Sequence, residues 1–178
     1  MHSVVKYNAL IANGYVKKQA QKHSLRYHRI YLMNHKQLGH LLVAFQILAI
    51  VICVFPFAKP DKNLTGLLLL ALGIAGGAMT IYFNKPGNFS IHPKPKPNTS
   101  LITEGPYQYI RHPMYTSLFI MMLGITIYNS HYLNLIGLVI LILALMSKAY
   151  IEESLLKKHF PTYADYMART KRFIPFTF

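Results

Sequence analysis

Acidic residues are scarce in this chain, and cysteine is scarcer. Asp and Glu total 5 against 19 Lys and Arg in 178 residues, a formal net charge of +14. Charged residues of both signs make up 13% of the sequence while hydrophobic ones reach 53%. A soluble domain usually carries about 25% charged residues, so an ordinary soluble globule is excluded. Disorder is excluded too, because disordered chains are poor in the aliphatic and aromatic residues abundant here. The single Cys53 leaves no internal disulfide framework and no Cys-rich zinc site. What remains is charge segregated from apolar mass in a chain long enough for one domain. That is the pattern of a membrane protein.

A bilayer core about 30 Å thick takes about 20 apolar helical residues. Residues 40–57 and 64–83 meet that length, as does 132–150, which carries Lys148 near its end. The run 114–128 is only 15 residues, but the polar Asn129-Ser130-His131 turn that follows reads as the tip of a membrane hairpin. The expectation is an all-α integral membrane protein with about four transmembrane helices and a C-terminal amphipathic helical segment. In the second run, Gly73 and Gly77 form a small-xxx-small pair that either brings two helices close or is merely tolerated. Of the 19 Lys and Arg, 17 lie in residues 1–39, 85–111 and 148–172; only Lys59 and Lys62 lie between the first two runs. The positive-inside rule then puts both termini and the middle loop in the cytoplasm.

Basic residues that flank apolar runs serve topology and anionic-lipid contact, which leaves no stripe for nucleic acid. His23, His28, His35 and His40 are spaced by five or seven with no carboxylate or Cys nearby, so no metal site is expected. Residues 1–39 read as a basic N-terminal segment ahead of a domain at 40–178. Residues 1–32 either form an interfacial basic helix or precede a natural start at Met33. Between the second and third runs, the Pro-rich stretch NKPGNFSIHPKPKPNTS reads as an irregular loop.

Ionisable groups at or within a membrane are functional candidates because lipid makes them costly. Two clusters qualify: Arg111, His112 and Tyr115 just before or within the third run, and Lys148, Glu152 and Glu153 at the end of the fourth. A hairpin brings both to one membrane face. The structural alternative has Arg111 and Lys148 snorkelling while the two glutamates open a wet helix. Beyond them, Leu155, Leu156, His159, Phe160 and Tyr163 recur at helical spacing, and Pro161 breaks that pattern into a kink or two short helices.

The segments LITEGPYQYIRHPMY (101–115), EESLL (152–156) and FPTYADYMARTKRFIP (160–175) resemble the isoprenylcysteine carboxyl methyltransferases and their phospholipid-methyltransferase relatives. The resemblance covers the C-terminal half, with the catalytic part at 99–175. It implies S-adenosylmethionine as methyl donor, bound in a cytoplasmic pocket, and a lipophilic acceptor arriving from the bilayer. Carried across by position, donor contacts come from Leu101, Ile102, Tyr107, His112, Pro113, Met114, Tyr115 and Glu152, with Glu153 behind them. Lys148 stands where the family places a basic residue, commonly Arg, to meet an acceptor carboxylate, and Arg169 matches the Arg after the second Tyr of the tail. Arg111 completes the candidate catalytic set. The chain departs from the family pattern at Ser117, Pro161 and Thr170-Lys171, and Lys in place of Arg gives up bidentate carboxylate recognition.

The residue types suit the chemistry on their own terms. Methyl transfer from a sulfonium is an in-line displacement that needs positioning and electrostatic matching, with no covalent enzyme intermediate. A carboxylate acceptor needs a cation and no base; a thiol or amine needs a proton acceptor, for which His112 is the candidate. Two other readings stand beside this one. Membrane sterol reductases that use NADPH share part of the pattern but read His-Pro-Asn-Tyr, where this chain has Met114. The third is a non-catalytic membrane scaffold.

Overall fold

A computed structural model describes residues 37–84 and 100–175. By internal packing the chain divides into Met1–Leu38 and Gly39–Phe178, and the fold below is that of the second unit. The expected N-terminal interfacial helix, His23, His28, His35 and most of the Pro-rich loop lie outside the described residues.

Among the described residues five α-helices follow one another: α1 (Gln37–Val54), α2 (Leu64–Phe83), α3 (Pro113–Asn129), α4 (Tyr132–His159) and α5 (Tyr163–Arg169). A single 3₁₀ turn, Gly105–Gln108, precedes α3. The all-helical membrane architecture is as expected, and α1, α2 and α4 are long and apolar enough to cross a bilayer. Among the described residues those three meet the length, and a fourth span is not confirmed. At about 1.5 Å per residue, the 17 residues of α3 cover about 26 Å, short of a core about 30 Å thick.

The first run is displaced from its expected bounds: α1 ends at Val54 rather than Phe57. Phe55 precedes Pro56, whose ring disfavours the helical conformation of the residue before it. The same rule ends α4 at His159, before Phe160-Pro161, and α5 then starts as a separate helix. Asn63 caps α2, its Oδ1 accepting from the Thr65 amide at 2.9 Å. Ser130 in the left-handed region (φ 51°) ends α3, and His131 Nδ1 accepts from Leu133 N at 3.3 Å to start α4.

The helices α2 and α3 approach most closely through glycine. A Cβ on Gly66 would sit 2.7 Å from the Gly124 carbonyl oxygen, and one on Gly73 would sit 2.6 Å from the Met121 amide. Gly77 has no such role, since a Cβ there meets Ser117 at an ordinary 3.9 Å. The close contact is thus made by Gly66, Gly73 and Gly124, not by the Gly73–Gly77 pair. The core gathers Ala49 and Cys53 of α1, Met122 of α3, and Leu138, Leu141 and Leu145 of α4. The helix α4 is central: half of its apolar window is buried, against 22% for α1 and 17% for α2. Both tight connections, 55–63 and Ser130–His131, fall at one end of the bundle. The chemically interesting residues fall at the other.

Candidate functional site

The site is built where the chain enters α3 and leaves α4. Gly105, at φ +59° with the Phe83 ring packed where a Cβ would stand, opens the 3₁₀ turn that carries Tyr107. Pro113 occupies the first helical position of α3, where its missing N–H costs nothing. His112 is therefore held at the helix start and Tyr115 one turn in. Nine residues of α4 continue past residue 150 and carry Glu152 and Glu153.

The tail after α5 closes the arrangement. Residues 170–173 return beside 109–112 as an isolated parallel β-bridge between Ile110 and Lys171. Arg111 N donates to Lys171 O at 2.8 Å, Lys171 N to Tyr109 O at 3.0 Å, and His112 N to Arg172 O at 3.1 Å. Thr116 Oγ1 donates to Phe173 O at 2.9 Å, and the Tyr166 hydroxyl to Tyr107 O at 2.7 Å.

This brings the two adjacent glutamates into unlike surroundings. Glu153, its side chain 4% exposed, accepts from Arg111 Nε at 2.8 Å and from Arg172 Nε and Nη2 at 3.2 and 2.8 Å. His112 Nε2 lies 3.3 Å from the same carboxylate, which can only accept, so that nitrogen is the donor. Arg111 also donates to the carbonyls of Thr170 and Met167. Glu152 is 32% exposed; the Tyr115 hydroxyl donates to its Oε2 at 2.9 Å, and His112 Nδ1 stands 3.7 Å from that oxygen. Glu153 is enclosed by cations. Glu152 has an oxygen to spare.

The rings around them are ordered. His112 and Tyr115 stack with centroids 5.2 Å apart and planes 3° from parallel. Burial, and then the charge of Glu152, push the Tyr107 phenol up to about 12, so it stays a neutral donor. Tyr163 and Tyr166 are pushed upward by burial as well. The hydrogen bonds to Glu153 raise Arg172 above the ordinary guanidinium value.

Of the residues singled out from the sequence, Arg111, His112, Tyr115, Glu152 and Glu153 form one network, with Tyr107 bonded to α5 at its edge. Pro113 and Met114 are the first residues of α3, and Leu101 and Ile102 are half-buried ahead of the 3₁₀ turn. Lys148 is 2% exposed one turn before Glu152; its Nζ donates to Gln46 Oε1 at 2.6 Å and sits 5.4 Å from the Tyr115 ring centre. Arg169 is not in the network: it is exposed on α5, with Nε donating to Asp165 O at 3.3 Å. Sequence reasoning missed Arg172 and Gln46. A lone amide inside the apolar run LLVAFQILAIVICV was the available signal for the second. Among the described residues, no three His, Cys, Asp or Glu side chains are grouped to hold a metal ion.

A family model described as phospholipid methyltransferase matches residues 62–163, which takes in α2, the 3₁₀ turn, α3 and α4. Two curated proteins are similar. The nickel-cobalt-cadmium resistance protein NccN of Alcaligenes xylosoxydans xylosoxydans is 38% identical over 80 residues, 44% of this chain and 37% of that protein. The cobalt-zinc-cadmium resistance protein CzcN of Cupriavidus metallidurans is 30% identical over 126 residues, 68% of this chain and 56% of that protein. The matched parts thus span about a third to just over half of those relatives.

Proposed function

The chain belongs to the phospholipid methyltransferase family of membrane methyltransferases, and from that premise we propose that it transfers a methyl group from S-adenosylmethionine to a lipophilic acceptor. The observation that carries this reading is the division of labour between the two glutamates. Glu153 is saturated by Arg111, Arg172 and His112. Glu152 keeps a partly exposed carboxylate beside the neutral Tyr107 phenol and the stacked His112 and Tyr115 rings.

That donor set fits an adenosylated amino acid. Glu152 is an acceptor for ribose hydroxyls or an ammonium, and Tyr107 is a neutral donor. Leu101, Ile102, Pro113 and Met114 line the approach in this reading. When bound, the sulfonium supplies an activated methyl group; the protein's part is to hold the two reactants in line. With its proton fixed on Nε2 by Glu153, His112 presents an Nδ1 lone pair able to take a proton from a thiol or amine acceptor. Lys148 balances the charge of an acidic one. The acceptor is an isoprenylcysteine-like carboxylate or another small lipophilic carboxylate, thiol or amine. With 17 of 19 basic residues outside the first connection, we place the site at the cytoplasmic face.

The relatives' names concern metal resistance. It is the match to the phospholipid methyltransferase family model that carries the enzymatic reading. Calorimetric titration of the detergent-purified protein with S-adenosylhomocysteine tests it. A dissociation constant in the micromolar range, about 8 kcal/mol, is expected. Heat for NADPH alone would favour a reductase, and heat for neither would favour a scaffold.

A further inference from the structure

Residues 41–54 of α1 are apolar but for Gln46 and the thiol of Cys53. An amide at that depth is costly in lipid unless another polar group meets it. Gln46 is met by Lys148 of α4, whose Nζ donates to Oε1 at 2.6 Å. Lys148 is 2% exposed, and its ammonium lies over the Tyr115 ring at 5.4 Å from the centre. Tyr115 in turn donates to Glu152 at 2.9 Å. A continuous chain of contacts therefore runs from the first helix to the open carboxylate of the site.

The arrangement is unequal in strength. An ammonium has three donors, and here they meet one neutral amide oxygen and the face of a ring. A hydrogen bond to a neutral oxygen is about half as strong as one to an anion, and the nearby anion, Glu152 one turn along α4, acts on the ammonium only through space. An incoming acidic group would therefore take the ammonium from the amide, whereas an uncharged group would not. Gln46 also lies outside residues 62–163, which the family model covers.

Resting on the methyl-transfer reading above, we propose that Gln46 is a specificity-determining residue: its amide holds the Lys148 ammonium while the acceptor site is empty and yields it to the anionic group of a lipophilic acid, a carboxylate or a phosphate. Selectivity then arises as a difference of affinities. An acid gains the ammonium, and an alcohol of the same chain length finds it still bonded to α1.

Thermal unfolding in an uncharged detergent at mildly alkaline pH, with dodecanoate, dodecyl phosphate or dodecanol at one concentration, tests this without turnover. The wild type should be stabilised more by at least one of the acids than by the alcohol, and the acid that acts best separates carboxylate from phosphate. Gln46→Glu supplies a built-in carboxylate to Lys148, so acids and alcohol should give the same shift. Gln46→Leu strands the ammonium, so the advantage of the acid should grow beyond the wild-type value; this variant decides the matter if Gln46→Glu does not fold. No preference for acids in the wild type, or a preference that neither substitution alters, would overturn the proposal. A parallel arm with S-adenosylhomocysteine keeps the two readings apart. Stabilisation equal in all three proteins is expected, and its absence everywhere would count against methyl transfer while leaving the acid–alcohol comparison to stand or fall by itself.

Discussion

At the turn end of the bundle, where α1 finishes and α3 hands over to α4, two asparagines meet the last carbonyls of α1. Asn134 Nδ2 lies 2.8 Å from Ile52 O and 2.9 Å from both Cys53 O and Phe55 O, and Asn129 Nδ2 donates to Cys53 O at 3.2 Å and Val54 O at 3.4 Å. At the opposite end, Arg111, Arg172, Glu152, Glu153 and Lys148 do the bonding with side-chain charge, and His112 stands between the two glutamates. Both ends tie remote helices together. The turn end does so with neutral amides on backbone, which leaves little for a ligand to compete for. The charged end leaves one carboxylate partly open and one ammonium on a weak partner. The same contrast recurs between neighbours: Glu153 is an internal strut and Glu152 a binding group.

Breaking the strut should have the largest effect. Glu153→Ala leaves Arg111 and Arg172 without their anion at a site where Arg111 is 8% exposed. A loss of about 3–5 kcal/mol is expected, read as a lower midpoint of chemical unfolding in detergent. At the turn end, Asn134→Leu keeps the branching and the number of heavy atoms but strips α1 carbonyls of their donor. It should cost about 1–3 kcal/mol while the affinity of the folded protein for S-adenosylhomocysteine stays at the wild-type value; a change in that affinity would mean the two ends are coupled. Arg169→Met should do least, changing stability by no more than about 0.5 kcal/mol, because its Nε reaches only a carbonyl of its own helix. A tenfold rise in acceptor KM in that variant would instead give Arg169 the acceptor contact that the resemblance implies.

The helices were legible because their apolar runs are long and their breaks chemically marked, as with Asn63 before α2 and the Asn129-Ser130-His131 turn. The meeting of Arg111, His112 and Tyr115 with Glu152 and Glu153 was legible from a hairpin alone. Which glutamate is enclosed was not. That depends on residues 170–173 folding back onto 109–112, a pairing across about sixty residues that no periodicity announces. Arg172 looked like one more basic residue of a topogenic tail until that return placed it on Glu153. Pro56 could have ended α1 three residues earlier in the sequence reading, since the rule is local. Gln46 was overlooked because one amide hardly changes the hydropathy of a span, whereas its meaning lies in a partner 102 residues away.

The affinity of S-adenosylhomocysteine for Glu152→Gln, measured by calorimetry beside the wild type, tests the division between the glutamates most directly. An amide in place of the open carboxylate should weaken binding by about 1.5–3 kcal/mol, the worth of a hydrogen bond to a charged group, with the melting temperature unchanged. Wild-type affinity in a fully folded Glu152→Gln protein would contradict the account.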